Sequence, residues 1–223
     1  MKLFLIYVLC IISFNLYAGA PAPKDSLPQP PYLFKDGMLI ELKIEWNAKS
    51  ISKFIPKGME TQNIIYGGIN MYLTKSNKPL SKLNYTTAWM NIENSKRIIL
   101  DFYGPNNKSY RLINAITKFQ SDISKSKMML INNKISARTN IKNKSVLTIT
   151  AIINNDCDKN SISKNDVIKA HNTNNDFIIN TSYKELCSLS DIKLKFLNGY
   201  DYLIIDKIIS GRILKETELK FNN

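Results

Sequence analysis

Cysteine and histidine, two side-chain types that often carry out nucleophilic, acid–base and metal chemistry, are scarce in this sequence of 223 residues. Cysteine occurs three times and histidine once, as His171, and neither type forms a CxxC or HExxH arrangement. A histidine-based metal site or catalytic triad is therefore nearly excluded, and we predict no metal and no cofactor. His171 lies in a polar stretch, so we expect a solvated loop residue. Asp156 and Asp158 flank a cysteine, but their spacing lacks the glycine and final glutamate of a calcium loop.

The first eighteen residues have the order of a secretory signal peptide. Lys2 supplies a positive charge, an apolar stretch runs from Leu3 to Tyr17, and Ala18 offers a small residue for cleavage. The apolar stretch is shorter than the roughly 20 residues of a bilayer-spanning helix. We therefore expect an exported, periplasmic or secreted protein with no transmembrane segment after cleavage at Ala18 or Ala20. An uncleaved N-terminal anchor is the alternative.

Two cysteines, Cys157 and Cys187, remain after cleavage, because Cys10 lies in the predicted signal peptide. An even number of cysteines in an oxidising compartment favours one disulfide. This bond would close a loop of about thirty residues and stabilise the fold by roughly 3 kcal/mol on the chain-entropy model. Two buried free thiols are the alternative.

The formal net charge is +13, a basic balance that is typical of nucleic-acid-binding proteins. Here, however, the basic residues are scattered singly and are mostly lysines at alternating strand positions. We therefore expect no specific nucleic-acid partner. Adhesion to an anionic surface remains open, because a positive field attracts polyanions without specificity. Hydrophobic residues make up 44% of the chain, which is enough to build a core.

Alternation of apolar and polar residues predicts a mostly β chain. Met38 to Trp46 alternates with the period of two that is typical of a half-buried strand. Short helices are predicted over Ala48–Ile55 and Tyr110–Phe119, and a long polar loop over Asn154–Asn175. The fold class is thus α+β but mostly β, a large antiparallel barrel or packed sheets with a few short helices. Further strands are predicted over Ile64–Leu73 (with a bulge or bend at Gly67 and Gly68), Tyr85–Ile92, Ile98–Tyr103, Met128–Ile131, Ile135–Thr139, Val146–Ile153, Phe177–Ser182, Ile192–Leu197, Tyr202–Ile209 and Arg212–Phe221.

Two segments in the N-terminal third resemble motifs of a known family. Pro30-Pro31-Tyr32 resembles the opening segment of the acetoacetate decarboxylase-like family, and residues 55–59 resemble its Leu-Pro-x-Gly-Leu turn. The order of elements is similar over most of the chain. The resemblance implies a single domain over 32–223, which follows a proline-rich lead-in over 19–31. In this domain a closed β structure would surround a pocket for a small keto acid or apolar ligand. We expect Trp46, Trp89 and Tyr103 to line the core or to contact substrate in this pocket.

The resemblance also implies lysine chemistry. In the family a neutral lysine amine forms a Schiff base with a β-keto acid, and a neighbouring cation or a dry pocket lowers the pKa of that lysine. By position before a predicted hairpin, Lys125 falls closest to the reactive lysine. Lys127, two residues further along a strand, would face the same way and act as the second cation.

The chain departs from the family at the residues that would accompany this lysine. The Gly-Arg-Glu and Pro-Lys-Lys segments are missing, and Thr86 follows Tyr85 where the family has a glutamate. Two functions therefore stay open: an exported Schiff-base decarboxylase that acts on a small keto acid through Lys125, and a non-catalytic module that binds a small ligand in the same pocket. A basic surface adhesin is a third class, and a homo-oligomer is also left open.

Overall fold

The computed structural model describes residues 32–55, 64–74, 83–93, 96–104, 122–170 and 176–222, and most of them lie in strands. One 3-10 turn, Ser52–Phe54, is the helical element of these ranges. The predicted mostly β fold is therefore confirmed, while the predicted signal peptide, the lead-in, His171 and the helix over Tyr110–Phe119 lie outside the described residues. The strands are β1 (Tyr32–Trp46), β2 (Ile65–Thr74), β3 (Asn84–Glu93), β4 (Lys96–Gly104), β5 (Asp122–Ile131), β6 (Lys134–Ile141), β7 (Lys144–Ile153), β8 (Ile162–Ala170), β9 (Asp176–Tyr183), β10 (Glu185–Phe196) and β11 (Ile205–Asn222).

Nine strands form a closed barrel in the order β1-β2-β3-β4-β5-β6-β7-β10-β11, which returns to β1. All neighbours in it are antiparallel except β4 and β5, which are parallel. Its interior holds the larger apolar core, to which β1 contributes Ile40, Leu42 and Ile44, each with no exposed surface. Within the described residues, no helix has the length and apolar character needed to cross a bilayer.

A second closed ring is built on one side of the barrel. Strands β8 and β9 extend the sheet from β11, and β8 then pairs in parallel with β4. β11 can belong to both rings because it is 18 residues long. Its Gly211–Lys215 part pairs with β10, and its Glu218–Asn222 part pairs with β9. The second ring, formed by β1 to β4, β8, β9 and β11, encloses a second core that includes Phe34, Leu39 and Phe221.

Strand β1 is buried on both faces because it separates the two cores. Successive side chains of a strand point to opposite faces. Ile40 and Leu42 therefore enter the barrel, whereas Leu39 and Glu41 enter the second ring, and all four are buried. A charged residue, Glu41, thus lies in the middle of the molecule.

Two predicted elements are of a different type in the structure, and the two strands predicted over Tyr202–Ile209 and Arg212–Phe221 are one strand, β11. The helix predicted over Ala48–Ile55 is a turn followed by the 3-10 segment, because backbone and side-chain bonds from Asn47 and Ser50 tie this stretch to Ile204 before a full helix can form. The predicted polar loop over Asn154–Asn175 contains β8. Four of the nine residues of this strand are apolar, but Lys164 and Asp166 on its inward face take part in ion pairs, described below.

Cys157 and Cys187 form a disulfide, with 4.2 Å between their Cα atoms. The bond joins the loop after β7 to β10, and Cys187 is fully buried. Next to it, the amide of Asp158 donates to the carbonyl of Leu186 at 2.8 Å, and the amide of Leu186 donates back to Asp158 at 2.8 Å. The predicted pairing is confirmed, and it is compatible with export, which itself stays a prediction.

Removal of this disulfide should weaken the fold. The bond spans 30 residues, so the double variant Cys157→Ala/Cys187→Ala should lose about 3 kcal/mol of unfolding free energy in urea denaturation. Mass spectrometry of the purified protein after alkylation checks the bond directly, since two alkyl groups should add only after reduction. Two thiols that alkylate without reductant would contradict the assignment.

Candidate functional site

Glu41 of β1 is a buried carboxylate held by three cations. Only 1% of its side chain is exposed. Lys164 Nζ of β8 lies 2.7 Å from its Oε1, and Arg212 Nε of β11 lies 2.6 Å from its Oε2. Arg97 Nη2 of β4 lies 3.7 Å from Oε1. One carboxylate therefore joins four strands of the second ring.

A second carboxylate, Asp166 of β8, completes the group. It lies 3.1 Å from Arg97 Nη2 and 3.6 Å from Lys164 Nζ. Asp166 and Lys164 are two residues apart, so they share the inward face of β8. We call Glu41, Arg97, Lys164, Asp166 and Arg212 the ion cluster. Because three cations face two carboxylates, the ion cluster carries one excess positive charge.

Glu41 remains ionised despite its burial. Burial by itself raises the pKa of a carboxyl group, but Lys164, Arg212 and Arg97 outweigh this effect and lower the pKa of Glu41 to about 2. The carboxylate is thus a fixed negative charge at all but strongly acidic pH, and it holds Arg97 in place.

A cleft of about 410 Å³ lies beside the ion cluster. Trp89 of β3 and Arg97 lie together in its wall, with the guanidinium carbon 4.0 Å from the ring centroid. Trp89 is fixed in turn because its Nε1 donates to Asn70 Oδ1 at 3.1 Å. Polar and apolar groups share the lining, which consists of Lys43, Tyr66, Gly67, Trp89, Asn91, Arg97, Asn165, Asp166 and Ile209.

Gly67 and Gly68 of β2 allow the two tryptophans to approach the sheet. A Cβ at Gly67 would overlap the Trp89 carbonyl oxygen and the Trp46 indole nitrogen, and a Cβ at Gly68 would overlap the Trp89 ring. The pairing of β2 with β1 and β3 runs through both glycines without a shift in register. This continuous pairing excludes the bulge that was predicted as one alternative, and both glycines serve close packing.

The predicted lysine pair lies elsewhere. Strand β5 alternates, so Ser124 and Ser126 are buried while Lys125 and Lys127 are exposed on the outer face of the barrel. Neither lysine lines the cleft. The Schiff-base role predicted for Lys125 thus has no support from the position of its side chain.

Three hydroxyl groups occupy the barrel interior next to these lysines. Thr86 Oγ1 lies 3.1 Å from Ser126 Oγ and 2.8 Å from Thr139 Oγ1, and the last two are 3.0 Å apart. The sequence resemblance implies a glutamate at the position of Thr86 and the reactive amine at Lys125. The barrel interior next to Lys125 holds three hydroxyl groups, which do not form an imine.

The three predicted aromatic residues fall in different places. Trp89 lines the cleft, as predicted for a pocket residue. Trp46 lies in the barrel core and donates from Nε1 to the Trp89 carbonyl at 2.9 Å. Tyr103 is buried against Tyr200, with 5.3 Å between ring centroids. Trp46 and Tyr103 are therefore packing residues, one of the two roles predicted for them, whereas their contact with substrate stays a prediction.

The ion cluster was not predicted from the sequence. One sign of it was visible: Glu41 sits between Ile40 and Leu42 in a strand whose flanking residues are strongly apolar. Its partners Arg97, Lys164 and Arg212 come from distant parts of the chain. Nothing in their local sequence distinguishes them from the many other cations.

Comparisons with known proteins support the fold. No model of a known protein family matches the sequence, and no curated protein matches it significantly. Among solved structures, acetoacetate decarboxylase from Legionella pneumophila matches with a TM-score of 0.60 and 11% identity, over 93% of this chain and 92% of that one. MppR, an enduracididine biosynthesis enzyme, in complex with pyruvate matches with a TM-score of 0.59 and 8% identity, over 88% and 89%. An acetoacetate decarboxylase-like enzyme from Sphingomonas wittichii matches with a TM-score of 0.57 and 7% identity, over 92% and 98%. The chain thus has the acetoacetate decarboxylase fold, which confirms the resemblance at the level of structure.

Replacement of Glu41 should destabilise the protein. In Glu41→Gln three cations keep only Asp166 as a counter-charge, and a buried ion pair broken on one side typically loses about 3–5 kcal/mol. Glu45→Gln is the matched control, because Glu45 lies on the same face of β1 and makes no ion pair with the described residues. It should change the unfolding free energy by less than about 1 kcal/mol in urea denaturation. Equal losses in the two variants would contradict the role of Glu41.

The same carboxylate should make the fold sensitive to acid. Its pKa is about 2 in the folded protein against an ordinary value of 4.5, so its stabilisation is complete above pH 4.5 and disappears as the pH falls to 2. The loss across that range should amount to about 3 kcal/mol, at about 1.4 kcal/mol per pH unit. Unfolding free energies measured from pH 6 downward should show this acid dependence, and it should be smaller in Glu41→Gln. An equal pH dependence of the unfolding free energy in Glu41→Gln would contradict the assignment of this acid sensitivity to Glu41.

Proposed function

We propose that the protein binds a small organic acid in the cleft without forming a covalent bond. The observation that carries the proposal is the juxtaposition of a 410 Å³ cleft with an ion cluster that has excess positive charge. Lys43 adds a further cation to the lining. An anionic ligand would neutralise this charge, whereas a cationic ligand would be repelled.

The lining suits a molecule with a charged end and a short apolar part. Lys43, Asn91 and Asn165 offer N–H donors for a carboxylate. The exposed Tyr66 ring and Ile209 offer apolar contact for the remainder, while Trp89 is buried behind Arg97. A concave site in which a few polar groups fix the orientation of a ligand beside apolar surface is typical of small-molecule binding.

Arg97 contributes through its fixed position. A guanidinium carries five N–H donors, and the ion pairs of Arg97 with Glu41 and Asp166 both use Nη2. Other donors can therefore meet a ligand from a side chain that is already ordered against Trp89. Such preorganisation lowers the entropy lost on binding.

The structural comparisons favour keto acids as the first ligands to test. A protein of this fold holds pyruvate in a solved structure, and other proteins of this fold are named for acetoacetate. Identities of 8% and 11% transfer no residue roles, so this choice of ligand is part of the proposal. We further propose that binding takes place outside the cytoplasm, because the first eighteen residues have the signal-peptide pattern and the disulfide is compatible with an oxidising compartment.

A Schiff-base decarboxylase that acts through Lys125 is the second hypothesis. The fold likeness to acetoacetate decarboxylase favours it. The exposed position of Lys125 and the hydroxyl groups of Thr86 and Ser126 count against it. Borohydride reduction in the presence of a keto acid separates the two hypotheses, because only an imine leaves a permanent mass adduct on lysine.

Titration calorimetry with pyruvate and acetoacetate tests the binding proposal. We expect saturable binding that Lys43→Gln weakens about fivefold, since a charge-assisted hydrogen bond to an exposed lysine is lost. Lys207→Gln is the control, because Lys207 is exposed on β11 and does not line the cleft. Borohydride should leave the protein mass unchanged. The proposal is wrong if neither acid binds or if Lys43→Gln and Lys207→Gln bind alike, and a keto-acid adduct on Lys125 would establish the second hypothesis instead.

A further inference from the structure

The outer face of the barrel carries cations on three of four adjacent strands, β5, β6 and β10, while β7 contributes a threonine between them. Lys127 of β5 lies directly opposite Arg138 of β6, Arg138 lies opposite Thr148 of β7, and Thr148 lies opposite Lys195 of β10. With strands about 4.8 Å apart, this row spans roughly 14 Å. Neighbouring rows add cations on the same face. We call the whole set the basic face: Lys125, Lys127, Lys134, Arg138, Lys193 and Lys195.

The cations of the basic face lack carboxylate partners among the described residues. Six other cations of the described ranges do form ion pairs, namely Lys35, Arg97, Lys164, Lys184, Arg212 and Lys215. Like charges that are directly opposite on neighbouring strands, such as Lys127 and Arg138, destabilise a sheet. Three acidic residues, Asp156 and Asp158 on the bordering loop and Asp191 on β10, are outnumbered by the six cations. The basic face therefore carries positive charge that the carboxylates of the described residues do not neutralise.

An exposed apolar segment adjoins the basic face at the end of the β5–β6 hairpin. Met129, Leu130 and Ile131 are 59%, 44% and 61% exposed. Met129 and Ile131 continue the side of β5 that carries Lys127, whereas Leu130 points to the other side. Both sides are exposed at this end of β5, where the strand pairs with β6 and its pairing with β4 is confined to Asp122 and Ile123. We call these three residues the apolar tip.

The turn that follows the apolar tip is held in place. Asn132 and Asn133 adopt positive φ angles, as expected for a two-residue hairpin turn. The Asn133 carbonyl accepts from the Ile153 amide at 2.7 Å, and its side chain donates to Asn155 Oδ1 at 2.8 Å. The apolar tip is thus presented by an anchored hairpin.

We propose that the basic face and the apolar tip together form a docking surface for an anionic lipid bilayer. The cations would lie against anionic headgroups, an attraction that falls off within a Debye length. The apolar tip would enter the boundary between headgroups and acyl chains, where apolar side chains leave water. A hydrated polyanion such as a nucleic acid would satisfy the cations but leave the tip in water. The bilayer supplies both kinds of contact.

Docking in this way leaves the cleft accessible. The basic face lies on β5, β6, β7 and β10. The cleft is lined by residues of β1, β2, β3, β4, β8 and β11. The two sites share no strand, so ligand binding and bilayer docking can occur together. The docking proposal therefore does not depend on the proposed function.

Vesicle co-flotation with the intact protein tests the docking surface. The protein should float with mixed phosphatidylcholine–phosphatidylglycerol vesicles, bind pure phosphatidylcholine far less, and dissociate as salt is raised. Each cation near an anionic surface strengthens binding about fivefold, so Lys127→Glu/Arg138→Glu should weaken it at least about 25-fold. Lys207→Glu/Lys220→Glu is the control with the same charge change on exposed positions of β11, and it should weaken binding several-fold less. Equal losses in both variants would show that net charge alone drives the attraction, which overturns the proposal.

Insertion of the apolar tip is tested by fluorescence. In M129W the new indole should shift to shorter wavelength on anionic vesicles and be quenched by brominated lipids. The native Trp46 and Trp89 are buried and serve as the background. Met129→Ser/Ile131→Ser should weaken vesicle binding and leave binding to soluble heparin unchanged. No shift in M129W, or equal binding of the serine variant to vesicles, would refute insertion and identify a general polyanion surface. Circular dichroism confirms that each variant is folded.

Discussion

A carboxylate that is almost completely removed from water has to be neutralised by cations, and in this fold that requirement falls on Glu41. Its partners Lys164, Arg97 and Arg212 come from β8, β4 and β11, three strands that close the second ring around β1. The ring and the ion pairs depend on each other, because the pairs form only when these strands meet. The network thus joins four strands that are far apart in the sequence through one buried carboxylate.

The cleft is a consequence of the same arrangement. Strand β1 directs Ile40 and Leu42 into the barrel core and Glu41 into the second ring. One alternating strand therefore contributes apolar residues to the barrel and the central carboxylate to the ion cluster. Arg97, held by Glu41, stacks on Trp89, and the glycines of β2 let that ring lie close to the sheet. Charge, aromatic surface and space thus meet at one place, and a small anion is the ligand that this combination favours.

Local signals in the sequence predicted much of the fold. The alternation over Met38–Trp46 and the Asn132–Asn133 turn both appear in the structure, because period and turn chemistry act over a few residues. β8 was missed because its inward residues meet charges from remote strands. The site was missed for the same reason, since Glu41 finds its partners only through tertiary pairing. The catalytic role of Lys125 was predicted from a resemblance between whole segments. Side chains of β5 alternate between the two faces, and at Lys125 the side chain points outward.

The central claim is that a small acid binds beside Trp89 and the ion cluster, and NMR of the two indole N–H groups tests it most directly. Trp89 lines the cleft, whereas Trp46 donates within the barrel core. On titration with carbonyl-labelled ¹³C-pyruvate, the Trp89 indole signal should move progressively to saturation, the Trp46 signal should move less, and the labelled carbon should keep its ketone or hydrate shift. Indole signals that stay in place at saturating pyruvate, or a labelled carbon at an imine shift, would contradict the account.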